Sequence, residues 1–500
     1  MQRNAAGRLA AIGLFPKPSG VRIVSNNKHG GCALAIINRR SVSNQFLVFI
    51  CFSFFFILIT AAGPRFTSAA PATADPGFAS LLHNCLEPLW TGRDAPDQSQ
   101  QQLALKGLIA TGLCEKDDLE AMMAKVFLTL LGHQKTSRYL LPQLPRQIAA
   151  LCSPLMTPED VERTMWRTVS TVIQKDDPVR ITIGTLAPPG TPWITVPETT
   201  AIPKMERLSE GKVLIKIYSG GVMGEDTDIL DKMRAGQIDG CGCTALGVLA
   251  ASPEASVFLL PGLFKSYDEV DYICKKFRKR LDKAFEQKGY ILASLIDTGH
   301  FYLFSKNRCN GLADLPKQHF LSWFGTIEMT LYQGLGIESV PVAVPDVASA
   351  FSAGQADAML APAAWMLGMQ IYQYTNFYLT PPLLFSPTAV FVTNQTRERI
   401  QQQLGLSDQF AFNVQELIVS EITAIETEWN RQIRNYEEKS LKAFENKCGM
   451  KAMTFTSEDR QAIEKISREV QEKLSGKIIT KELRDDISRA LTEYRSINKK

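Results

Sequence analysis

The texture of the chain changes at Asp176-Asp177-Pro178, and that change limits the fold more than any other feature. Upstream, apolar residues recur at helical spacing: Leu81, Leu82, Cys85, Leu86 and Leu89, then Leu119, Met122, Met123, Val126, Phe127, Leu130 and Leu131. Thr157-Pro158-Glu159-Asp160 offers a cap residue, a proline at the first helical position and an acid three residues after the cap, so a helix starts there. Residues 77–175 are therefore predicted to form a small bundle of four or five helices. Downstream, residues 179–183 and 213–217 alternate as strands. Further strands are predicted at 291–296, 302–304, 339–342, 358–360 and 389–393. Strands that alternate with helices imply parallel β-structure in an α/β domain. Residues 456–498 read as two charged amphipathic helices broken at Gly476.

Charge narrows the function classes. The first 74 residues carry eight basic side chains and no acid; removing those eight from the 55 in the chain leaves 47 against 51 acids. A mildly acidic body lacks the basic stripe that a nucleic-acid backbone requires, so nucleic acid is not an expected partner. The apolar run 46–62 follows Arg39 and Arg40 and precedes small residues ending in Ala72-Thr73-Ala74, the pattern of an export signal. The run is 17 residues, so an uncleaved membrane anchor is the alternative. Cys51 lies inside the run and does not mark a lipoprotein site. In either case 1–74 is an address segment, and the body is expected in the periplasm.

Eight cysteines follow residue 74. In an oxidising compartment some of them can pair, but Cys241 and Cys243 are expected to be too close along an extended strand to bridge easily, and most of the eight read as small core residues. Five scattered histidines offer no ligand pair, and none of the nucleophile-elbow, zincin or phosphate-loop patterns is present. Asp226, Asp228 and Asp231 fit the dipole of a helix start rather than a calcium loop. No enzyme, metal or cofactor is expected.

Six stretches carry a resemblance: 181–188 (ITIGTLAP), 211–221 (GKVLIKIYSGG), 232–240 (KMRAGQIDG), 260–264 (LPGLF) with 266–270 (SYDEV), and 350–358 (AFSAGQADA). In this order, the chain resembles the solute-binding proteins of tripartite ATP-independent periplasmic (TRAP) transporters, on the dicarboxylate-receptor-like branch. The resemblance implies a two-lobed α/β periplasmic-binding-protein fold with a hinged cleft over 179–445, preceded by the all-α bundle and followed by the long helices of 456–498. It also implies a membrane permease as partner. Independently of it, 233–239 and 351–357 each run from an amphipathic helix through glycine to Gln-x-Asp, which suits two lobes built alike around a closing cleft.

One position departs from the family pattern. The relatives place a carboxylate-clamping arginine after an Asp-Leu-Lys-Gly turn. Here the turn is Asp314-Leu315-Pro316-Lys317, and the matching position is Leu321. Lys317 and Lys306 are the nearest cations, and neither falls on the match. A carboxylate buried without its guanidinium would be unpaired, so an apolar or amphipathic ligand is expected. Trp193, Met223, Thr244, His300, Tyr302, Trp323, Phe324 and Trp365 are the candidate binding residues. The rival reading is a binding-protein fold used as an adaptor, with the bundle docking a periplasmic partner protein.

Overall fold

The computed structural model describes residues 76–498 except 96, 113, 174–177 and 406; the predicted export segment lies outside the described residues. Five helices come first: α1 (Pro76–Thr91), α2 (Gln98–Ala110), α3 (Lys116–His133), α4 (Leu144–Leu151) and α5 (Pro158–Val172). The predicted start of α5 is built as a reciprocal cap, in which Thr157 Oγ1 accepts from Asp160 N and the Asp160 carboxylate accepts from Thr157 N. Leu119, Met122, Met123, Val126, Phe127, Leu130 and Leu131 form the buried stripe of α3.

The chain then alternates as β1 (Val179–Thr185), α6 (Pro192–Thr199), α7 (Ala201–Leu208), β2 (Val213–Tyr218), α8 (Asp226–Arg234), β3 (Gly240–Cys243), α9 (Ala245–Ala251), α10 (Tyr267–Glu286) and β4 (Tyr290–Ser305). Next come β5 (Phe320–Ser322), α11 (Thr326–Gly334), β6 (Ser339–Pro341), α12 (Val347–Ser352), β7 (Ala358–Pro362), α13 (Ala363–Gly368), β8 (Phe377–Leu379) and β9 (Leu384–Thr393). The last elements are α14 (Gln395–Leu404), α15 (Asp408–Ala424), α16 (Glu426–Asn446), β10 (Lys451–Met453), α17 (Ser457–Leu474) and α18 (Lys481–Ile497).

The strand order is β2-β1-β3-β9-β4-β7-β5-β6, with β8 and β10 branching from β4. Two parallel triplets result, β2-β1-β3 and β7-β5-β6, and the antiparallel pair β9–β4 joins them. This is a two-lobed α/β fold whose lobes share two strands. The repeated Gln-x-Asp segments play matching parts in the two lobes. Asp239 N donates to Thr182 O, and Asp357 N donates to His319 O. Each carboxylate accepts in return from the backbone N–H of the same partner, at 2.7 and 3.4 Å.

Two expectations are corrected. The strands predicted at 291–296 and 302–304 are one strand of 16 residues, β4, which stays paired across an irregularity at Asp297/Gly299. Glycine permits that join: Gly299 has φ +117°, and a Cβ there would lie 2.5 Å from Glu437 Oε2. Cys241 and Cys243, not expected to bridge easily, form a disulfide. Residues two apart on a strand share a face, and their Cα atoms are drawn to 5.3 Å, within disulfide range.

The bundle does not hold a core of its own. The apolar cluster that includes Phe127, Trp166 and Val169 continues into Val179, Ile181, Met205 and Val213 of the first lobe and Phe410, Val414 and Leu417 of α15. Burial of this kind is the dominant favourable term in packing one element on another. Polar contacts fix the register. Asn413 Nδ2 donates to Leu131 O and Gln134 O, and Trp166 Nε1 donates to Glu421 Oε1.

Candidate functional site

Parallel pairing sets Ile181 beside Ile215 and Ile183 beside Ile217, and these four side chains floor one side of a cavity. Its other walls come from Thr388, Val390 and Val392 of β9, from α6, and from Ile418 and Ile422 of α15. Trp429 of α16 and Trp365 of α13 also line it. The cavity is narrow, about 90 Å³. None of its described lining residues is charged. The polar ones are two tryptophans whose indole N–H groups are already used, a third tryptophan, and four threonines. Trp193 Nε1 donates to Asp297 O at 2.8 Å, and Trp429 Nε1 donates to Pro192 O at 2.9 Å.

The threonines divide into two pairs. Thr185 Oγ1 donates to Gly242 O, and Thr244 Oγ1 donates to Asp226 Oδ2. Asp226 is fully buried and does more than complement a helix dipole: the same oxygen accepts from Thr244 N and Gly247 N, which positions the cavity wall. Burial pushes its carboxyl up to about 6. Thr298 and Thr388 are different. Thr298 Oγ1 is buried without a hydrogen-bond partner among the described residues, and Thr388 likewise has none. A lone hydroxyl in an apolar wall costs free energy until something bonds to it.

Of the residues singled out from the sequence, Trp193, Thr244 and Trp365 line this cavity. Trp323 and Phe324 do not. Trp323 stacks on Trp365 with centroids 5.2 Å apart, Phe324 packs edge-on against Trp323 and Phe301, and both belong to the core behind Trp365. His300 and Tyr302 also miss it. The second of two irregularities in β4, at Asp297/Gly299, re-aims the side chains that follow it relative to Ile296, and both turn to Glu437, at 3.5 Å from His300 Nδ1 and 3.2 Å from Tyr302 Oη. Met223 sits in the turn before α8, where its carbonyl accepts from Lys232 Nζ. Leu321 is fully buried in β5. The lining residues that sequence reasoning misses are Thr298, Thr388, the paired isoleucines and Trp429. The alternation of 181/183 with 215/217 is a usable signal; no local pattern announces the others.

Comparison with known proteins settles the family. The model of the bacterial extracellular solute-binding protein family 7, DctP, matches residues 183–477. The chain belongs to this family. Solved structures share its fold. A TRAP periplasmic solute-binding protein from Haemophilus influenzae RdAW with bound L-gulonate is 15% identical at a TM-score of 0.56, covering 63% of this chain and 99% of its own. The sugar-acid-binding protein DctPAm from Advenella mimigardefordensis, in complex with galactonate, is 18% identical with the same TM-score and coverage. A third, from Sulfurospirillum deleyianum with bound succinate, is 14% identical at a TM-score of 0.54, covering 63% and 98%. This family 7 protein is thus a TRAP-type substrate receptor with transport as its role. The three named neighbours all hold charged acids. Among the described residues no helix is long and apolar enough to cross a membrane.

Proposed function

We propose that this receptor takes a small, uncharged apolar or amphipathic solute carrying one hydroxyl or carbonyl, and delivers it to a TRAP-type permease from the periplasm. The observation that carries the reading is the uncharged cavity with the buried, unpartnered hydroxyl of Thr298, beside which the Thr388 hydroxyl makes no hydrogen bond among the described residues. Thr298 and Thr388 would fix the ligand's polar group while the isoleucines and Trp365 enclose its body. Leu321 at the arginine position agrees, because a carboxylate here would be desolvated without a paired cation. The adaptor reading gains nothing from the structure, since the bundle's apolar face is covered by the first lobe and α15.

Thermal unfolding of the purified protein with a panel of solutes tests this. Benzyl alcohol, cyclohexanol and 1-hexanol should raise the midpoint, because a ligand bound only to the folded state stabilises it by mass action. Succinate, gulonate and galactonate should leave it unchanged. A rise with the acids and none with the alcohols would overturn the proposal.

A further inference from the structure

A second concavity lies away from the cavity described above. A groove of about 640 Å³ runs between α17 and α18 on one side and the loops around Gly262 and Pro381 on the other. Its outer wall includes Leu491 and Arg495 of α18, beyond the stretch that the family model matches. That wall is fixed in place. Arg495 grips Glu269 through Nε and Nη2 at 2.7 and 2.8 Å, and Nη2 also donates to Leu263 O.

The hydrogen-bonding inventory of the groove is one-sided. Arg460 and Arg468, on one face of α17, are exposed, and neither guanidinium has a hydrogen-bond or ion-pair partner among the described residues. The Lys265 ammonium likewise has no hydrogen-bond or ion-pair partner there, although its charge helps hold the nearby Glu269 carboxyl below its usual range, after the contacts of Arg495. Ser467 is only 3% exposed, yet its hydroxyl has no partner there. At the inner end, His300 uses Nδ1 toward Glu437, and its Nε2 has none. Among the described lining residues, the one carboxylate left unpaired is that of Glu464. Between these donors the surface is apolar, with Leu263, Leu384, Phe455, Ile463 and Leu491 buried along it.

From this arrangement we infer a second binding site, for an anionic amphiphile whose carboxylate or phosphate meets Arg460 and Arg468 and whose alkyl body lies on the apolar floor. Guanidinium groups suit both headgroups because their planar fork matches two oxygens. The site is independent of the uncharged cavity, which is too narrow for a long alkyl chain. Carboxylate and phosphate amphiphiles reach such a groove either as free solutes or as membrane lipid, and the test separates these sources.

The test is calorimetric titration of the full chain with decanoate, decyl phosphate and the uncharged decyl maltoside, each below its micellar concentration. Decanoate and decyl phosphate should bind at one site and decyl maltoside at least ~10-fold more weakly, as for a charge-assisted contact. Charge reversal by R460E with R468E should weaken both anions ~10-fold or more. K265E alone should weaken them ~3-fold, and added salt should do the same, since these cations are exposed. In a parallel arm, phosphatidylglycerol vesicles are sedimented with the protein against phosphatidylcholine vesicles. Retention on phosphatidylglycerol that R460E/R468E abolishes, without binding of free decanoate, assigns the site to membrane lipid. Equal binding of decyl maltoside and decanoate, anion binding unchanged in R460E/R468E, or no binding in either arm overturns the inference.

Discussion

Arg138 of the helical bundle and Glu416 of α15 form an ion pair buried from solvent, although 278 residues separate them. Arg138 Nη2 lies 2.6 Å from Glu416 Oε1, and Nε and the backbone N–H of Arg138 both donate to Oε2 at 3.0 Å. Arg138 Nη1 reaches on to Leu292 O of β4 at 2.8 Å. One side chain thus ties the bundle to a helix and to a strand shared by both lobes.

Arg138→Ala should therefore cost about 3–5 kcal/mol, the range for stranding one partner of a buried pair. Replacing both partners, as R138M with E416L, should recover most of that loss. Urea unfolding of the three proteins measures both effects. A cost below about 1 kcal/mol for Arg138→Ala would show that water reaches the pair.

Gly299→Ala should destabilise by about 3 kcal/mol or more, because a left-handed backbone and a close approach to Glu437 act together. The same unfolding measurement reads it. A near-neutral variant would mean that β4 can rejoin its two halves in another way.

Glu328 governs a pH dependence. It is fully buried, its Oε2 accepts from Trp323 N and Phe324 N, and burial pushes its carboxyl up to about 8. A raised folded pKa gives stability that is complete below the unfolded value near 4.5 and is lost as pH rises through 8. Between pH 5 and 8 the wild-type protein should lose stability that Glu328→Gln retains, with a slope approaching ~1.4 kcal/mol per pH step of one. Parallel slopes of unfolding free energy against pH in the two proteins would contradict this.

Thr298→Val separates fold from binding. Removing an unpartnered buried hydroxyl should leave the empty protein as stable as before or about 1 kcal/mol more so. The affinity for benzyl alcohol should fall about tenfold, the loss of one hydrogen bond to the ligand. Unfolding midpoints with and without the alcohol report both. A loss of stability in the empty protein would mean that the hydroxyl has a partner, such as bound water.

The parts of this molecule that are legible in the sequence are those whose signals are local. Thr157 and Asp160 announce the start of α5, the alternation at 181/183 and 215/217 announces β1 and β2, and the repeated Gln-x-Asp segments announce two similar lobes. The candidate site is legible only at Trp193, Thr244 and Trp365, next to the strand ends where open sheets place ligands. His300 and Tyr302 fall outside this cavity because β4 carries two register shifts, and the one at Asp297/Gly299 re-aims the side chains just after it; periodicity does not register such insertions. Trp429 and Ile422 enter the cavity from helices remote in sequence. Trp323 and Phe324 look like lining residues in sequence, since aromatic side chains that wall a site and those that back it share one composition.

The core continuous between the bundle and the first lobe bears on how this receptor can be shortened. Trimmed to the 183–477 stretch common to its family, the chain would leave Met205, Val213, Phe410, Val414 and Leu417 as a bare plate facing water. Such a plate is an adhesive surface, and the shortened protein should self-associate more readily than the longer one, which size-exclusion chromatography of the two would read. The added helices thus act as a permanent roof, and a shortened form that keeps this core closed has to retain about a hundred residues ahead of the shared stretch.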